Sequence, residues 1–131
     1  MFDFQKLRIW QEGHQLALIV YRLTQAFPRE ELFGLTSQMR RSASSIPHNI
    51  AEGCGRLSRA EMSRFLLIAM GSASEFHSQV MLARDLTYLP GAEAEQLLVS
   101  TIRLRRMLTA YYQKIQSTVQ DPKTLRSQDP E

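Results

Sequence analysis

The side chains best suited to chemistry lie on one stretch of the sequence. Gln38, Arg41, Ser45, Asn49 and Glu52 recur at steps of three and four, which keeps all five within roughly 80° of one another on a helix. The row offers amide, guanidinium, hydroxyl and carboxylate groups, and so reads as a recognition surface for a polar ligand or partner. Arg41 and Glu52 are separated by about 16 Å along such a helix, too far to pair directly. Ser45 and Asn49 between them, or groups on another helix, must satisfy them. The competing reading is a structural hydrogen-bond network at a helix or subunit boundary, where each buried polar group needs a partner. Glu52, which repels phosphate, and Pro47 both favour the network. Pro47 removes a backbone donor and crowds the preceding turn, so a bend is expected between Ala43 and Pro47.

Catalysis has little to stand on. His48 and Glu52 are four residues apart and suit a hydrogen-bonded pair with some general-base character, but an ion pair on a helix surface has the same spacing. His14 and His77 fall on other segments. His77 and Arg84 lie inside an apolar arc, as groups satisfied at an interface would. No nucleophile elbow, phosphate loop or pair of carboxylates is visible, so no enzyme activity and no cofactor are expected. The single cysteine, Cys54, allows neither an internal disulfide nor zinc-ligand spacing. It fits a reducing cytoplasm, and no metal site is expected. The N-terminus lacks the order of a secretion signal, and no apolar run approaches the ~20 residues of a membrane span.

The elements that must position these groups are helical. The chain has 131 residues, 44% of them hydrophobic, with only 6 Gly and 5 Pro, which suits one domain with a single core. Phe27-Pro28, the stretch from Cys54 to Ser58, and Leu89-Pro90-Gly91 divide it into four segments. Ser58 and Glu61 have the spacing of a capping box, and Glu93 and Glu95 sit where a helix dipole favours acids. Short connections predict an all-α, antiparallel up-down-up-down four-helix bundle over residues 1–120. Residues 121–131 read as a disordered tail.

Helical periodicity gives helix 2 a narrow core stripe of Leu35, Met39, Ala43, Ile46 and Ile50. Helix 4 has Leu97, Thr101, Leu104, Leu108, Tyr111 and Ile115. Helix 1, over about residues 7–27, is apolar over more than half its circumference, with Tyr21 in one of its rows. Helix 3 carries a main face running from Met62 to Met81, and a second side of Leu67, Gly71, Ser74, Ser78 and Leu82. Those small residues permit close helix approach, inside the bundle or between subunits. The methionines read as core fillers.

Sixteen Lys and Arg against thirteen Asp and Glu give a formal charge of +3, mostly through arginine. The excess is local: residues 35–64 hold five basic and two acidic side chains. Arg40, Arg41, Arg56, Arg59 and Arg64 form one candidate phosphate track. Arg103, Arg106 and Lys114 form a second, on the outward side of helix 4. A solvated face is the commoner explanation for such rows, although the planar fork of arginine suits phosphate. No aromatic RNA-recognition motif or Gly-x-x-Gly clamp supports sequence-specific readout.

Three strings carry a family resemblance: Leu7-x-Ile9-Trp10-Gln11; Tyr21-x-x-Thr24-x-x-Phe27-Pro28-x-x-Glu31; and Gly34-Leu35-x-x-Gln38-x-Arg40-Arg41-x-x-x-Ser45-Ile46-Pro47-x-Asn49-Ile50-Ala51-Glu52-Gly53. Arg56 and Phe65-Leu66-x-Ile68-Ala69-x-Gly71-Ser72 continue the match. The chain resembles, over about residues 4–115, the four-helix-bundle family encoded in intervening sequences of bacterial large-subunit rRNA genes. The accessory variability determinant proteins of diversity-generating retroelements are similar bundles. The resemblance implies a homopentameric ring and a basic surface that meets RNA, DNA or a nucleic-acid enzyme such as a reverse transcriptase. A ring buries two different faces of each subunit, which would account for the surplus apolar surface of helices 1 and 3. A protein-interaction scaffold without nucleic acid is the alternative. Gly13 departs from the pattern, standing where a better helix former is expected.

Overall fold

Local chemistry explains where each helix begins and ends in the computed structural model, which describes residues 3–120, the last three by backbone alone. The expected disordered tail, 121–131, lies outside the described residues. Asp3 caps a short 3-10 turn by accepting from the Gln5 amide, and α1 follows over Arg8–Leu23. The expectation that this helix reaches Phe27 is corrected. Thr24–Ala26 tighten into a 3-10 turn, and Phe27 is extended, the conformation that a following proline imposes.

Helix α2, Leu35–Cys54, runs unbroken through the expected bend at Pro47. Its N-terminus has no cap from the adjoining Gly34. Instead Glu31 reaches forward, and its carboxylate accepts from the Leu35 amide at 3.0 Å. A Cβ on Gly34 would lie 2.7 Å from that carboxylate, so glycine makes room for the cap. Helix α3, Arg59–Asp85, opens on the expected Ser58 cap, whose hydroxyl accepts from the Glu61 amide at 3.1 Å. The reciprocal half of the capping box is absent, because the Glu61 carboxylate turns to Arg64.

The end of α3 is a Schellman motif. Thr87 N–H bonds to the Arg84 carbonyl and Tyr88 N–H to the Ala83 carbonyl, both at 2.9 Å. Thr87 occupies the left-handed position at φ 64°, where glycine is usual. Helix α4 covers Gly91–Gln120, with Glu93 in its first turn.

The order of contact is α1 on α2, α2 on α3, α3 on α4, and more thinly α4 on α1. Arg40 meets Thr24 while Pro47 faces Gly13, so α1 and α2 are antiparallel. Ser42 meets Gln79, and Gly53 meets Met62 and Phe65, so α2 and α3 are too. Among the described residues there is no strand, and the architecture is a four-helix arrangement. The expected α2 stripe is buried, as are Phe76, Leu104 and Leu108.

Two members of the expected apolar rows face out of the chain: Met81 is 41% and Tyr21 45% exposed, because Val80 and Ala83, and Ala17 and Val20, occupy the inward positions at those levels. Gly13, unexplained as a helix former, is explained by packing. A Cβ there would stand 3.3 Å from Ile46 and 3.4 Å from the Pro47 ring, so its absence lets α1 approach α2.

Candidate functional site

The polar row of α2 divides into a paired centre and two exposed ends. Ser45 and Ser72 hydroxyls meet across the α2–α3 seam at 2.8 Å, and the Asn49 amide donates to the Ser45 carbonyl and hydroxyl at 2.8 and 2.9 Å. Gln38 and Arg41 are exposed, and their side chains form no hydrogen bond among the described residues. Glu52 turns outward to Arg56 at 3.0 Å. Sequence reasoning missed a second, more buried connection one turn away. Ser42 donates to Gln79 at 2.6 Å, and Gln79 donates to Glu75 at 3.3 Å. Gln79, a polar residue between Phe76 and Val80 on the apolar face of α3, was the available signal.

The histidines do not converge. His48 is exposed, and the Glu52 carboxylate that its spacing offered is taken by Arg56, so the expected surface pair does not form. His14 stacks on Trp10 with ring centroids 4.7 Å apart. His77 is half-buried with Nδ1 unpartnered, and Arg84 pairs with its neighbour Asp85 at 2.9 Å. Among the described residues no group of three His, Cys, Asp or Glu side chains is placed to hold a metal ion. Cys54 is buried, and its surroundings push its thiol up to about 11, first through burial and then through the charge of Asp3. A thiol so placed stays protonated and is a poor nucleophile.

Two of the five basic residues singled out as one track, Arg56 and Arg64, are neutralised by the chain itself. Arg56 and Arg64 lie over the ring of Phe65, 5.0 and 4.5 Å from its centroid, and pair with Glu52 and Glu61. The Arg64 bond holds the Glu61 carboxyl below its ordinary range. Arg59 is half-buried with Nε unpartnered. Arg40 works as a strap, donating to the Thr24 hydroxyl at 2.9 Å and the Tyr21 carbonyl at 3.3 Å, with its guanidinium over the Tyr21 ring.

On α4, Arg103 pairs with Glu12 of α1. Arg106 is exposed and lines an open depression with Arg105, Ile102 and Gln113. Lys114 borders a separate apolar groove beside Leu7, Met107 and Tyr111. Arg105 was missed because it neighbours the core residue Leu104; the Arg105-Arg106 doublet was its signal. Phe33, 93% exposed, was also passed over, although the run Leu32-Phe33-Gly34 places apolar side chains in a loop.

The arrangement offers surfaces for association and charge, with no helix among the described residues long and apolar enough to cross a membrane. Its fold is that of a crystallised protein of unknown function from the S23 ribosomal protein family of Bacteroides thetaiotaomicron. The likeness spans 80% of this chain and 95% of that one, at 23% identity and a TM-score of 0.74. No curated protein matches the sequence. Residues 5–110 match the family described as 23S rRNA-intervening sequence protein, and the chain belongs to that family.

Proposed function

We propose that the protein is a non-enzymatic, cytoplasmic adaptor that closes into a homopentameric ring and presents a basic surface to RNA, DNA or a nucleic-acid enzyme. The observation that carries this reading is the strip of α3 left uncovered by its own chain. Leu67 is 48% and Leu82 50% exposed, and between them a Cβ on Gly71 would have nothing within 4 Å. Small and apolar residues on an open helix face suit a head-to-tail contact that closes by rotation. Val99 at 53% and Ile102 at 37% exposed add apolar surface on α4. Arg105 and Arg106 beside Ile102 supply cationic groups that no carboxylate of the described residues pairs with, and a ring repeats them, so that weak contacts gain by avidity. A scaffold that binds only protein is the second reading, favoured by the capture of Arg103 by Glu12.

Light scattering at micromolar concentration tests the ring: five times the 15.1 kDa chain mass is expected, and Gly71→Leu should disperse it. A monomer in the wild type would contradict assembly. Binding to structured RNA should weaken steeply with salt and weaken further in Arg105→Ala/Arg106→Ala. Absence of binding at low salt would leave the protein-only scaffold.

A further inference from the structure

The corner where α1 hands over to α2 combines exposed aromatic rings with cations that the chain does not neutralise. Tyr21, Phe33, Ser37, Arg40 and Arg41 line one open depression, and Arg29 lines the adjoining one with Leu32 and Arg40. Phe33 is 93%, Leu32 51% and Tyr21 45% exposed. A lone exposed apolar residue is ordinary. Leu57, 91% exposed at the opposite end of the bundle, is such a case, since Arg56 beside it is paired with Glu52.

The corner differs in its charge. The four ion pairs of the described residues engage Arg56, Arg64, Arg84 and Arg103, and none engages Arg29, Arg40 or Arg41. Of the loop's acids, Glu31 is held by the Leu35 amide and the Tyr88 hydroxyl, which leaves Glu30 as its one carboxylate outside such contacts. Arg40 is oriented by Thr24 and Tyr21, so its charge is fixed in place without being cancelled.

We infer that this corner is a stacking site for unpaired, single-stranded nucleic acid. This rests on the reading above that the protein meets nucleic acid, and it names the strand type and the place. Phe33 offers a ring open to solvent on which a base can stack, and aromatic stacking beside cations is how proteins hold single strands without reading sequence. Arg41 and Arg29 take the flanking phosphates, with Ser37 as a further donor. A duplex hides its base faces, so Phe33 contributes nothing to duplex binding.

The test uses the full chain and two fluorescein-labelled probes with equal numbers of nucleotides, an oligouridine and an RNA hairpin closed by a non-nucleotide linker so that it has no unpaired bases, followed by anisotropy across a salt series. Phe33→Ala should weaken oligouridine binding about 5- to 100-fold and leave hairpin binding and the melting temperature unchanged. Arg41→Ala should lower the salt slope for oligouridine by about one. Phe33→Trp should retain binding, and the oligouridine should quench its added emission. Oligouridine affinity unchanged in Phe33→Ala overturns the site. Hairpin binding without oligouridine binding in the wild type overturns it too, and leaves the adaptor reading standing. Binding of neither probe at low salt overturns both the site and the reading that the protein itself contacts nucleic acid.

Discussion

Replacing Gly53 by Ala should destabilise the bundle, and replacing Gly71 by Ala should stabilise it. A new Cβ at Gly53 would stand 2.6 Å from Met62 Sδ, 3.1 Å from Phe65 Cβ and 3.5 Å from Met62 Cα. Met62 is 3% exposed, so its thioether cannot swing into solvent, and Phe65 Cβ moves only with the α3 backbone. Overpacking of this kind costs about 1–3 kcal/mol. The helix-propensity gain of Gly to Ala is up to about 1 kcal/mol and is smaller here, one residue from the end of α2. A net loss of about 1–2 kcal/mol follows.

At Gly71 there is nothing to crowd within the chain, and the position is internal to α3, so a gain of about 0.5–1 kcal/mol is expected. Gly13→Ala should fall between the two, since its Cβ contacts begin at 3.3 Å. Urea unfolding of the separated subunits, at one fixed protein concentration low enough that light scattering shows no assembly, measures the difference without a contribution from the proposed ring. With m near 1–3 kcal/mol per M, the Gly53 and Gly71 variants should have midpoints about 1 M apart. A Gly53→Ala protein as stable as Gly71→Ala would refute the close α2–α3 approach.

Three further expectations follow from the same geometry. Thr87→Gly should stabilise by about 1 kcal/mol, because the left-handed φ of 64° costs a β-branched residue about 1–2 kcal/mol, partly offset by the freer unfolded chain; thermal melts showing no gain would count against it. The Glu31 carboxyl is held below its ordinary value by the Leu35 amide and then the Tyr88 hydroxyl. Its stabilisation is therefore complete above the usual carboxylate range and lost as pH falls through the lowered value, so the acid-side decline in unfolding free energy should be shallower in Glu31→Gln. Cys54, with its thiol raised to about 11, should react slowly with a disulfide reagent at pH near 8 and rapidly once denatured; fast labelling of the native protein would contradict its burial.

Much of the fold was legible because its signals are local. The apolar period of α2 marked Leu35, Met39, Ala43, Ile46 and Ile50, all buried, and Ser58 marked the start of α3. The polar row was legible as a row, but its fate was not. Ser45 and Asn49 found partners at the seam, whereas Glu52 found Arg56 just past the end of its own helix. A pattern on one helix shows which side chains share a face and leaves open what stands opposite.

By itself, then, the sequence determined the helices, their approximate ends and their inward faces, since periodicity, proline and caps act over a few residues. Tertiary structure decided which charges remain available. Arg103 meets Glu12 across 91 residues, and Tyr88 meets Glu31 across 57. Charge counting placed the basic character at the α2–α3 junction, but Glu52 and Glu61 answer Arg56 and Arg64 there. Among the arginines left without a carboxylate partner are Arg59 at that junction, Arg41 near Tyr21 and Phe33, and Arg105 and Arg106 on α4. A charge acts through what lies within a few ångströms of it, and that distance is set only when helices far apart in sequence are packed side by side.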